Sequence, residues 1–268
     1  METIIICIIA GLGAGLGTGF AGMSAAVVIS PMLITFLDVN PYEAIGIALA
    51  SDVLASAISA ITYARNKNID IKRSKWLIIS VLSFTIIGSI LAHMVPPATM
   101  GNFTVYMSLL MGLRFLFAKE KPEVDPDAPI DPENPDAVAP KKREFTGKWE
   151  VIVPIICGAV IGSICGFIGA GGGIMMLILL TTVLNYELKT AVGTSVFIMT
   201  FTALVGSTSH FYQTGAMPDP LIFATCVIST LIFALLGARF ANKADPKVLN
   251  RATGIVLTTL GIFMIFAS

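Results

Sequence analysis

Residues 158–173 run Gly158-Ala159-Val160-Ile161-Gly162-Ser163-Ile164-Cys165-Gly166-Phe167-Ile168-Gly169-Ala170-Gly171-Gly172-Gly173. Glycines four apart lay a flat strip along an apolar helix, where a second helix can approach closely. From Gly169 to Gly173 the glycines crowd together, and a helix stops there because glycine is a poor helix former. A second apolar run follows at once. The stretch therefore reads as helix, break, helix. Such breaks are tolerated inside a membrane only where the bare backbone is buried in protein or lines a watered cavity.

The pattern occurs twice. Laying residues 11–46 over 158–193 without a gap gives ten identities, five of them the glycine pairs Gly11/Gly158, Gly15/Gly162, Gly19/Gly166, Gly22/Gly169 and Gly46/Gly193. Phe20/Phe167, Leu33/Leu180, Thr35/Thr182, Leu37/Leu184 and Ala44/Ala191 complete the set. After a two-residue shift the register resumes with Gly88/Gly237, Ala92/Ala241, Pro97/Pro246 and Gly112/Gly261. Between the copies, residues 119–148 hold eight acids, six bases and six prolines. A segment of that composition cannot bury apolar surface and reads as a solvated, disordered linker. The chain is thus a first membrane repeat (1–118), a Pro-rich charged linker (119–148) and a second membrane repeat (149–268).

Composition agrees. Of 268 residues, 55% are hydrophobic and 13% charged, with a mean hydropathy of +0.85, whereas soluble domains carry about 25% charged residues. Seventeen bases cancel seventeen acids, so no global field draws in nucleic acid. Two histidines and four scattered cysteines offer no metal or redox cluster, and Cys7, Cys157, Cys165 and Cys226 read as small apolar helix residues. No cofactor is expected and no nucleotide-binding motif is present. The N-terminus has no basic region of the kind a cleaved signal peptide carries.

A span needs about 20 apolar residues to cross about 30 Å of hydrocarbon. Residues 3–37 taken as one helix would reach roughly 52 Å at 1.5 Å per residue, so Gly17, Gly19 and Gly22 divide them. The first repeat then holds helices at 3–19, 23–37, 43–64, 76–95 and 99–117. The second holds helices at 151–168, 172–185, 190–210, 219–238 and 249–267. The fold expected is an all-α polytopic membrane protein of two inverted five-element repeats, the first pair of each short or re-entrant. The inversion follows from loop charge. Residues 65–75 carry five bases and their counterpart 211–218 none, whereas 96–98 carry none and their counterpart 239–251 carries four. By the positive-inside rule, matching loops lie on opposite faces. The linker is then cytoplasmic and both termini lie outside the cell membrane. Trp76 and Trp149 open helices as interface anchors do, and Arg114 and Arg239 read as snorkelling anchors.

A helix starting at the 169–173 break would aim unpaired N–H groups and its positive dipole end into the protein, which holds an anion without a charged side chain. Inverted repeats would bring two such starts together near the midplane. A tight turn with no binding role is the competing reading. Candidate substrate-binding residues are Gly22, Met23, Ser24, Ser51, Gly169, Ala170, Gly171, Gly172, Gly173, Thr194 and Ser195. Asp52 is the one acid near the centre of a span. A carboxylate there costs about 3 kcal/mol on insertion scales, so it marks a functional site by default; a structural, hydrogen-bonded acid is the alternative. Beside an anion site it would repel the substrate unless protonated, which points to proton coupling. Asp52, Ser56, Ser59 and Tyr63 form one helical stripe; its counterpart on 190–210 runs through Met199, Ala203, Gly206 and His210, with Thr202 on the same face. Ser56, Ser59, Tyr63, Thr202 and His210 are candidate pathway residues, while small and hydroxyl side chains equally serve helix packing. His93 and His210 sit near helix ends, where an interfacial or hydrogen-bond-satisfied histidine is expected before a proton relay.

The twice-repeated G-xxx-G-xxx-G-F-x-G pattern, ending in Gly171-Gly172-Gly173 and followed by Ala191-Val192-Gly193-Thr194-Ser195, resembles the sulfite exporter/sulfonate permease family (TauE/SafE, also called TSUP). The first copy differs, with Ser24-Ala25-Ala26 in place of the glycine triplet and Ala44-Ile45-Gly46-Ile47-Ala48 in place of the later motif. The resemblance implies a secondary transporter, not an enzyme, moving a small anion: sulfite, a sulfonate such as sulfoacetate, thiosulfate or a related organic anion. Its partners would be that substrate, the lipid bilayer and protons. A cation carrier or channel with Asp52 as ligand is a second reading, and a membrane-embedded enzyme a third.

Overall fold

The computed structural model describes residues 1–21, 24–65, 67–117, 147–169, 172–184, 186, 188–215, 217–241, 251, 254–255, 258–259 and 261–263. Gly22, Met23, Ala170, Gly171, the linker up to residue 146 and most of the helix expected at 249–267 lie outside them.

The described residues form helices and no strands. In chain order these are α1 (Glu2–Ala21), α2 (Ala26–Leu37), α3 (Pro41–Arg65), α4 (Ile71–His93), α5 (Pro97–Phe117), α6 (Trp149–Ile168), α7 (Gly172–Ile178), α8 (Leu188–Thr214) and α9 (Pro220–Ala241). A π-helical turn, Leu179–Val183, continues α7. Among the described residues, five segments are long and apolar enough to cross a membrane: Pro41–Arg65, Ile71–His93, Trp149–Ile168, Thr190–Thr214 and Pro220–Gly237. The protein is an all-α membrane protein.

Its polarity is reversed relative to a soluble bundle. Ile79, Ile86, Ile87 and Ile90 of α4 and Ile152, Ile155 and Ile156 of α6 are exposed, while Ser74, Thr85, Ser89, Thr194 and Thr230 are buried. Apolar exterior faces suit lipid tails, and several buried hydroxyls donate within their own helix or to a neighbouring one: Thr85 to the Val81 carbonyl at 2.7 Å and Ser80 to the Ile155 carbonyl of α6 at 2.7 Å, whereas the Thr230 hydroxyl has no hydrogen-bond partner among the described residues.

Two elements are too short to span a bilayer. Helix α2 has 12 residues, about 18 Å at 1.5 Å per residue, and cannot cross the hydrocarbon alone. Ala26 through Leu33 are buried without interruption, the mark of a helix enclosed on all sides. Residues 172–183, α7 with its π turn, are its counterpart in the second repeat. Both segments end on the same backbone bond: Val39 N–H donates to the Leu33 carbonyl at 3.2 Å and Tyr186 N–H to the Leu180 carbonyl at 2.8 Å. These are matching positions of the two copies.

Helices from different halves pack in pairs. A Cβ at Gly11 would fall on the Ser229 hydroxyl and one at Gly15 would lie 2.7 Å from the Ala234 nitrogen. The contacts advance in the same direction along both chains, so α1 and α9 run parallel. The copy of that pair is α6 on α4: a Cβ at Gly158 would lie 2.8 Å from Ser80 Cβ, and one at Gly166 would fall on the Thr85 carbonyl. These glycines exist because the backbones touch. The third pair is antiparallel, with Gly46 of α3 against Phe211 of α8 and Gly193 of α8 against Tyr63 of α3.

Candidate functional site

The break after α6 is built as the glycines require. Gly169 adopts φ 73°, the left-handed region, and donates its N–H to the Cys165 carbonyl at 2.8 Å. A Cβ there would lie 2.6 Å from Ile45 Cγ2. Helix α7 starts at Gly172, where a Cβ would lie 2.8 Å from Cys165 Sγ. Helix α2 begins at Ala26, and the residue that precedes it, Ala25, has no side chain to cap the first turn. The Ser24 hydroxyl donates to the Gly169 carbonyl at 3.3 Å and accepts from the Ala26 N–H at 3.4 Å. The start of α2 and the end of α6 are thereby tied together.

Asp52 lies beside this junction, fully buried. The Ser24 hydroxyl and the Ala25 backbone N–H face its carboxylate, and Cys165 lies near it on the α6 side. Neither carboxylate oxygen has a hydrogen-bond partner among the described residues. The start of α2, expected from sequence to receive a substrate anion, thus faces a carboxyl group of the protein's own.

The other candidates divide into three groups. Ser24, Asp52, Gly169 and Gly172 come together, as just described. Gly173 follows in the first turn of α7 and is buried. Ser51, Ser56, Ser59, Ser195 and Thr202 each donate to a backbone carbonyl of their own helix, at 2.9, 2.7, 3.2, 2.8 and 2.8 Å. A hydroxyl so engaged presents lone pairs rather than a proton to its surroundings. Tyr63 and Thr194 lie toward one end of the bundle. Tyr63 Cβ packs on Gly193, and the Thr194 hydroxyl accepts the Asp70 N–H at 3.1 Å, holding the α3–α4 connection. Near that end Arg73 Nη2 donates to the Leu184 carbonyl at 2.8 Å, its guanidinium lies 4.7 Å from the Tyr186 ring centroid, and the Tyr186 and Ser74 hydroxyls pair at 2.8 Å.

His210 belongs to none of these groups. Helix α8 ends at Thr214, so His210 lies about one turn before that end, and it is fully buried and hydrogen-bonded rather than interfacial. Its Nε2 lies 2.9 Å from the Gly166 carbonyl, in the last turn of α6. Carbonyls there lose their helical partners, and the imidazole replaces one. The sequence reading missed Cys165, Ala25, Tyr42 and the His93–His210 contact. These residues meet only through contacts between separate helices, so spacing within any one helix carries no sign of them.

A buried carboxylate without a hydrogen-bond partner at a helix break, inside a bundle with an apolar exterior, belongs to a membrane protein rather than a soluble binding domain. The chain belongs to the Sulfite exporter TauE/SafE family, whose profile matches residues 7–264. It is 26% identical over 277 residues to the probable membrane transporter protein YunE of Bacillus subtilis (strain 168), covering 98% of each chain. It is 24% identical over 276 residues to the probable membrane transporter protein MJ0441 of Methanocaldococcus jannaschii, covering 97% of this chain and 94% of that one. No solved structure matches it. The protein is a membrane transporter of that family.

Proposed function

We propose that the protein moves a small anion (sulfite, a sulfonate such as sulfoacetate, or thiosulfate) by alternating access, coupled to protons through Asp52. The observation that carries this reading is the unpartnered, buried Asp52 carboxylate at the start of α2. A helix N-terminus stabilises one negative charge within its first turn. A charged Asp52 occupies that position; a protonated Asp52 gives it up, and a substrate anion can then share the junction of Ser24, Gly169 and Gly172. Proton and substrate would therefore enter together.

The two halves would be the moving parts. The antiparallel packing of α3 on α8, equivalent helices of the two copies, supports an inverted relation between repeats, which in transporters places the substrate site at their interface. The five bases of residues 65–75 support a cytoplasmic α3–α4 connection, a cytoplasmic linker and outward termini.

The test is flux into proteoliposomes loaded with buffer and offered sulfite, sulfoacetate or thiosulfate, with and without an imposed pH gradient. Uptake of at least one anion should rise with the gradient, and Asp52→Asn should make uptake indifferent to it. Gradient-dependent uptake unchanged in Asp52→Asn would remove Asp52 from coupling. Uptake of divalent cations in place of the anions would favour the carboxylate as a cation ligand.

A further inference from the structure

The chain has two histidines, and the fold brings them together from opposite halves. His93 is the last residue of α4 and His210 lies in the last turns of α8; their ring centroids are 5.2 Å apart with planes tilted by 39°. Tyr42 of α3 stacks on His93 at 4.2 Å between centroids, and its hydroxyl donates to the Val95 carbonyl.

Each ring uses one nitrogen on a backbone carbonyl: His93 Nδ1 on Ser89 at 3.0 Å and His210 Nε2 on Gly166 at 2.9 Å. A carbonyl oxygen only accepts, so both of those nitrogens must carry hydrogen. The neutral rings are therefore opposite tautomers, protonated at Nδ1 in His93 and at Nε2 in His210. What remains is a bare lone pair on His93 Nε2 and another on His210 Nδ1. Both are buried, and neither has a hydrogen-bond partner among the described residues. Two acceptors without a donor, enclosed in protein, are costly.

The neighbours do not supply the missing donor. From α8 the Gln213 amide donates to the Ser89 and Ser209 hydroxyls at 3.0 Å each, and the Thr214 hydroxyl donates to the His210 carbonyl at 2.8 Å. From α6 the contact is the Gly166 backbone, with the Cys165 thiol one residue away. On α3, Tyr42 is engaged as described, and Glu43 turns its carboxylate to the Asp219 N–H at 3.3 Å. No group of three potential metal ligands occurs among the described residues, and two imidazoles alone leave a zinc ion short of its usual four ligands.

We propose that His93 and His210 form one proton-binding site between the two halves, a site that takes up a single proton and is distinct from Asp52. One proton turns one bare nitrogen into a donor and leaves the other as an acceptor. A second would set two cations 5.2 Å apart in an enclosed, poorly solvated space, where like charges repel strongly. On the transporter reading above, the site is complete only while α4 of the first half and α8 of the second are together, so separating the halves would release its proton.

The experiment uses full-length protein labelled with 15N,13C-histidine, purified without a histidine tag and placed in lipid nanodiscs. Near pH 8 NMR should show two imidazoles of opposite tautomer. As the pH is lowered, the two signals should move together and account for one proton per chain. His93→Asn and His210→Gln keep a donor for the Ser89 and Gly166 carbonyls. Each leaves one signal, which assigns the spectrum, and the remaining ring should titrate differently from the pair. Two rings of the same tautomer, two rings neutral throughout, or two independent imidazolium ions would overturn the proposal. So would stoichiometric displacement of both signals by added Zn²⁺ at pH 8. The wild-type titration is decisive even if a variant fails to fold. It needs no substrate, so the outcome is separable from whether the protein carries an anion.

Discussion

At the scale of the residue, Ser24 has the most to do with the least chemistry. Its hydroxyl faces Asp52, donates to the Gly169 carbonyl and accepts from the Ala26 N–H. Ser24→Ala should cost about 1 kcal/mol of stability, the usual net worth of one hydrogen bond, read as a lower melting temperature in detergent. Its effect on flux should be larger, because the α2–α6 tie is part of the junction. The glycines make a sharper prediction. Gly166→Ala drives a Cβ into the Thr85 carbonyl, while Gly101→Ala meets Ile34 Cγ2 at an ordinary 3.4 Å. Overpacking of the first kind costs about 1–3 kcal/mol, so Gly166→Ala should melt several degrees lower and Gly101→Ala should match the wild type. Asp52 was legible in the sequence because a lone acid within an apolar span stands out. The histidine pair was not: position along α4 and α8 does not reveal that the two helices bring their ends together. Nor did the hydroxyl stripe on α3 reveal that its serines donate to their own helix.

At the scale of the element, the two short helices α2 and α7 separate what sequence patterning fixes from what packing decides. Glycine crowding and length arithmetic placed breaks near residues 22 and 169–173, and the structure starts α2 at Ala26 and α7 at Gly172. The π turn at Leu179–Val183 left no trace in the sequence pattern, since one extra residue in a single turn is too short to shift a hydrophobic period. Its far end is held from outside: the Arg73 guanidinium reaches the Leu184 carbonyl and lies over the Tyr186 ring. Lysine cannot reproduce a planar fork that stacks and donates together. Arg73→Lys should therefore speed amide exchange in the peptide covering residues 179–186 and leave exchange across residues 26–39 unchanged. Hydrogen–deuterium exchange followed by mass spectrometry reads both peptides at once. Equal acceleration in the two would mean that Arg73 supports the whole bundle rather than this turn.

At the scale of the molecule, the described contacts tie the halves to each other. Helix α1 lies on α9, α6 on α4 and α3 on α8, and each pair joins residues before the linker to residues after it. Helices pack in lipid through close backbone approach and local polar bonds rather than through a hydrophobic force, and the contacts of Gly11, Gly15, Gly158, Gly162 and Gly166 are of that kind. If the two halves are held by these surfaces, the covalent connection through residues 119–148 is dispensable once folding is complete. Inserting a protease site in that segment, cutting the purified protein and passing it over a size-exclusion column in mild detergent should give one peak holding both fragments, with a melting temperature close to that of the uncut protein. Cutting a chain carrying Gly11→Leu and Gly158→Leu should instead release the fragments from each other, because a branched side chain at either position displaces the facing serine, Ser229 or Ser80. Separation of the wild-type fragments would mean that the linker, and not the crossed helix pairs, holds the halves in register.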